Sequence, residues 1–83
     1  MDKQIVIEAF KESILNNKEL AKAIFGTTDV PEQINDTILA ISSLDFVDLM
    51  INVENRLNIE FAECMLTPKI RIDELAQRIA DYV

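Results

Sequence analysis

Ser42-Ser43-Leu44-Asp45-Phe46-Val47-Asp48-Leu49-Met50-Ile51-Asn52-Val53-Glu54-Asn55-Arg56-Leu57 carries more apolar side chains than one buried helix face can use. At about 100° per residue, Phe46, Leu49, Met50, Val53 and Leu57 fall within one arc and form a core-facing stripe. Leu44, Val47 and Ile51 lie on nearly the opposite side, beside Asp48 and Glu54. Burying the first set leaves the second in water, and an exposed apolar strip rimmed by acids has the composition of a docking surface. Ser42 suits the N-cap position. Asp45, three residues on, completes an approximate capping box and sets negative charge at the positive end of the helix dipole.

The flanking segments supply partners for the inner stripe. Lys3 to Asn16 reads as an amphipathic helix with Ile7, Phe10 and Ile14 inward and Val6 and Leu15 widening the stripe. After Asn16-Asn17, residues Lys18 to Phe25 either continue that helix or form a short one with Leu20, Ala23 and Ile24 inward; Gly26 is the stop. Thr27 to Ile41 reads as a long ordered loop, with a turn at Asn35-Asp36-Thr37 and with Ile34, Ile38, Leu39 and Ile41 pinning it across the bundle. Beyond the central helix, Ile59-Glu60-Phe61 reads as extended with Ile59 and Phe61 inward, and Ala62 to Leu66 as a single short helical turn ended by Thr67-Pro68. Arg71 to Tyr82 forms the last helix, with Ile72, Leu75, Ile79 and Val83 at spacings of three and four. The expected fold is all-α, a small bundle of three main helices plus one short helix, in a single domain over residues 1–83.

A chain of 83 residues buries only about 60% of its unfolded surface, so each long apolar side chain counts. With 49% apolar residues, one Gly, two Pro and no Trp, the composition fits a compact helical domain and not a disordered tail or a β-sandwich. Cys64 is alone and cannot close an intramolecular disulfide, which suits a reducing cytoplasm. No segment approaches the ~20 apolar residues of a membrane span, so membrane insertion is not expected. The net charge of −7 lies wholly between residues 23 and 68, where eight acids face only Arg56. Such a field repels phosphate backbones and attracts basic protein surfaces, which argues against nucleic acid as a partner.

Catalysis needs groups this chain scarcely holds. There is no His, no Gly-rich phosphate loop, and no evident activating partner for Cys64, which reads as a small apolar filler. Asp45 and Asp48 share helix spacing but sit on a solvated face, where nothing drives their roles apart. No metal cluster is suggested either.

The run Ser42-Ser43-Leu44-Asp45, the alternating apolar and acidic residues through Glu54, and the tail Leu57-Asn58-Ile59-Glu60-Phe61 resemble the acyl carrier protein family. There the helix opens with Asp-Ser-Leu and ends in a Phe-Gly-Ile-Glu-Ile type of tail. The resemblance extends to Ile34-Asn35-Asp36-Thr37 and to the final helix; residues 1–26 match only as a generic amphipathic first helix. It implies a monomeric, non-catalytic carrier with an acyl-carrier-like bundle. The matching Ser43 would carry 4′-phosphopantetheine, transferred from coenzyme A by a phosphopantetheinyl transferase. Acyl groups of fatty acid or polyketide biosynthesis would ride on that arm as thioesters. Leu44, Asp45, Val47, Asp48, Ile51 and Glu54 would meet the basic docking surfaces of acyl-loading and acyl-processing enzymes. The inner stripe, with the first and last helices, would line the region that receives an acyl chain.

Three features depart from the family. Ser42 stands where the family has Asp, which leaves two candidate hydroxyls; Ser43 is the one followed by Leu and an acid. The loop lacks the usual Leu-Gly and is about three residues shorter. Asn55 and Arg56 occupy positions often acidic in fatty-acid carriers, which points to a specialised carrier. Two other readings stand beside this one: an unmodified helical interaction module using Leu44, Val47 and Ile51, and a peptidyl or aryl carrier of an assembly line.

Overall fold

A computed structural model describes residues 1–60 and 69–82. It contains α1 (Lys3–Leu15), α2 (Lys18–Phe25), α3 (Ser43–Leu57) and α4 (Ile72–Tyr82), the all-α bundle that the periodicity predicts. Local chemistry sets each boundary. Asp2 caps α1, its carboxylate accepting from the Gln4 N–H at 2.9 Å. Asn17 decides between one long helix and two: its backbone is extended, and its Oδ1 accepts from the N–H groups of Glu19 and Leu20. A side chain that caps the first turn of α2 ends the first helix and starts a separate short one. Gly26, at φ 75°, closes α2 in the left-handed region that glycine enters without strain. The turn expected at Ala62 to Leu66, and Phe61 and Val83, lie outside the described residues.

The hub of the packing is α1. It packs against α4, α3 and α2, whereas the backbones of α3 and α4 stay more than 8 Å apart. Val6, Phe10 and Ile14 on α1 are fully buried and meet Leu49 and Val53 from one side and Ile72, Leu75 and Ile79 from the other in one core. Two side-chain assignments on these helices need correction. Leu15 is 50% exposed, because five residues beyond Phe10 place it about 140° round the helix from the buried stripe. Ala23 is exposed and Ala21 is buried instead, since the inward face of α2 centres between Leu20, Ala21 and Ile24.

The long loop fills what the helices leave open. Thr37 N–H donates to the Ile34 carbonyl at 3.0 Å, forming the turn over Asn35-Asp36. The chain then runs antiparallel to residues 70–72, with Leu39 N–H donating to the Ile70 carbonyl at 2.8 Å and Ile72 N–H to the Thr37 carbonyl at 2.9 Å. Asp73 N–H donates to the Asn35 carbonyl at 3.0 Å. Orphan donors in the first turn of α4 are thus satisfied by loop carbonyls. Ile34 and Leu39 are buried and Ile41 half-buried, as expected; Ile38 is not. It is 52% exposed, because in a bridged extended segment successive side chains point to opposite sides and Leu39 takes the inner one.

At the bridge the Arg71 guanidinium donates to both oxygens of Asp73, with Nε–Oδ1 at 2.9 Å, and lies 3.6 Å from Glu74. The hydrogen bond from Arg71 holds the Asp73 carboxyl below the ordinary aspartate range. A lowered folded-state pKa gives stability that is present above the unfolded value, near pH 4, and lost as the pH falls through the folded one. Arg71→Gln is therefore expected to flatten the acid dependence of the urea midpoint between about pH 5 and about pH 2. In the core, Phe10→Ala is expected to cost about 3–5 kcal/mol in the same assay.

Candidate docking surface and modification site

The first turn of α3 separates the two serines. Ser42 is the N-cap: its Oγ accepts from Asp45 N–H at 3.2 Å and its carbonyl from Phe46 N–H at 2.9 Å. Ser43 is the first helical residue, exposed, and its hydroxyl makes no hydrogen bond to any described residue. The N–H groups of Ser43 and Leu44 likewise have no partner among the described residues. One hydroxyl is therefore engaged in structure and the next is not, beside two unpaired donors at the positive end of a fifteen-residue helix. A phosphodiester on Ser43 would suit that position, since its oxygens could accept from those N–H groups.

Down the helix the two faces separate as the spacing predicts. Phe46, Leu49, Met50 and Val53 are buried and Leu57 is half-buried, whereas Leu44 is 83% exposed, Ile51 49% and Val47 41%. Leu44, Val47 and Ile51 fall within about 60° of one another round the axis and form one continuous strip. Asp48 is exposed on its flank, while Asp45 and Glu54 are half-buried at the strip's margins. The helix ends at Asn58, which takes a left-handed conformation at φ 56° and donates its N–H to the Glu54 carbonyl.

Two neighbours of this surface escape a reading of α3 alone. Asn17 sends its Nδ2 to within 3.5 Å of Asp48 Oδ2, so the cap of α2 also faces the acid on α3. Ile38 stands exposed on the loop that leads into Ser42. No group of three or more Asp, Glu, Cys or His side chains gathers to hold a metal among the described residues, and no described helix is long and apolar enough to cross a membrane. No protein-family model, curated protein or solved structure matches the chain.

The division of labour between the serines is measurable as stability. Ser42→Ala is expected to cost about 1 kcal/mol through loss of the cap, and Ser43→Ala to stay within about 0.5 kcal/mol of the parent, both by urea denaturation.

Proposed function

We propose that this chain is an acyl carrier protein that holds acyl intermediates as thioesters on 4′-phosphopantetheine attached to Ser43. The observation that carries the reading is the pairing of an exposed, unbonded Ser43 hydroxyl with the exposed strip of Leu44, Val47 and Ile51 on the same helix. A carrier needs an attachment point and a surface by which several enzymes grip it, with the first placed at the edge of the second. Here both belong to one rigid element, and α1 takes up the opposite face of that element. In the loading step the Ser43 oxygen bonds to the phosphorus next to pantetheine in coenzyme A, and the pyrophosphate linkage breaks. Adenosine bisphosphate leaves, and the hydroxyl proton passes to a base on the transferase.

Partner enzymes with apolar patches ringed by Arg and Lys would cover Leu44, Val47 and Ile51 and meet Asp45, Asp48 and Glu54 round the rim. The eight acids against one Arg between residues 23 and 68 favour encounter with such surfaces. The chain supplies position and recognition, and catalysis belongs to its partners.

Treatment with coenzyme A and a broad-specificity phosphopantetheinyl transferase is expected to add the mass of one phosphopantetheinyl group, read by intact mass spectrometry. Ser43→Ala should abolish the gain and Ser42→Ala should retain it. An unchanged mass, beside a control carrier that is modified, would leave the unmodified interaction module as the better reading. Val47→Asp and Asp48→Lys are each expected to weaken partner binding about tenfold while leaving the circular dichroism unchanged.

A further inference from the structure

Asn17 serves two helices with one side chain. Its Oδ1 accepts from the N–H groups of Glu19 and Leu20, at 3.1 and 3.2 Å, as the cap of α2. Those two bonds fix which end of the amide is oxygen and so aim the amino group the other way. It points at α3, where Nδ2 lies 3.5 Å from Asp48 Oδ2. The cap of one helix therefore carries a donor for an acid on another, thirty-one positions along the chain.

Asp48 has no other hold. It is exposed on the flank of the strip formed by Leu44, Val47 and Ile51, and its Oδ1 makes no hydrogen bond to any described residue. It makes no ion pair with any described residue either; Lys18, beside Asn17, is exposed and does not pair with it. A neutral donor restrains the carboxylate and leaves its charge in place, whereas a cation at the same spot would form a pair that an incoming Arg or Lys has to break. One oxygen is held and the other is open. A side chain already restrained loses less entropy when a partner takes it up.

We propose that Asn17 is a positioning residue for docking, its amide holding Asp48 ready for a cation on the phosphopantetheinyl transferase that modifies Ser43. This assignment rests on the carrier reading. Asn17 acts through Asp48 and not on the reacting atoms, so its loss raises KM for the chain and leaves kcat alone.

The test is a double-mutant cycle on the rate of mass gain, with saturating coenzyme A and the full chain as the varied substrate. Ser caps a helix about as well as Asn but has a single oxygen, which the cap engages; Asp48→Ala removes the acceptor. Asn17→Ser is expected to leave the urea midpoint at the parent value and to raise KM about twofold. Asp48→Ala should raise KM about fivefold, and Asn17→Ser should add nothing to it. That lack of a further loss separates holding Asp48 from capping α2, because a defect in α2 would raise KM in both backgrounds alike. If the parent chain is modified normally and Asn17→Ser keeps the parent KM, or raises KM equally with and without Asp48, the assignment of Asn17 is wrong while the carrier reading stands. If the parent chain gains no mass beside a working control, both fall together.

Discussion

The backbone pairing between residues 37–39 and 70–72 is the constraint on which the arrangement of this molecule depends. The Cα atoms of α3 and α4 stay more than 8 Å apart. They are related through α1 and through the loop that precedes α3, whose carbonyls complete the first turn of α4. The hydrogen bonds of Leu39, Ile72 and Asp73 therefore do two things. They satisfy backbone groups that the half-buried loop would otherwise leave unpaired, and they set where α3 begins relative to α4. The start of α3 is where Ser42 and Ser43 lie, so a fixed loop gives them a fixed approach.

How far the sequence can be read depends on the range over which each interaction acts. Helix identity is legible because the period is local: Val6, Ile7, Phe10 and Ile14 on α1, and Ile72, Leu75 and Ile79 on α4, are buried as their spacing predicts. The two faces of α3 are legible for the same reason. Asn16-Asn17 stays open in sequence, because a cap and a mid-helix asparagine differ only in which backbone groups the side chain meets. Ile38 misleads because its neighbour in space is Arg71, thirty-three positions away, and no local pattern announces a single isolated bridge. Composition alone argues for burying another isoleucine; strand alternation, once the pairing is known, puts it outside.

The candidate site divides in the same way. Ser42 as cap, Asp45 in the first turn and the exposed strip follow from rules that act within one turn of helix. What needs three dimensions is the difference between the serines: the engaged hydroxyl of Ser42 and the unbonded one of Ser43. Ser42, a cap candidate in the sequence, is the cap in the structure, its Oγ accepting from Asp45 N–H. The approach of Asn17 to Asp48 has no local sequence signal, since the two residues are thirty-one positions apart and meet only because α2 folds back beside α3.

The placement of α1 between its neighbours also bears on how the chain comes to fold. The hydrophobic stripe of α1 finds α3 some forty residues later and α4 some sixty-five residues later. In a bundle built from neighbouring hairpins each helix could meet its partner soon after forming; here the first helix waits for the last. Loops of that length make closure entropically slow relative to other small helical proteins. During synthesis Val6, Phe10 and Ile14 are made well before the residues of α4 that help to bury them. The eight acids against one Arg between residues 23 and 68 give such a chain a like charge that opposes contact with its copies.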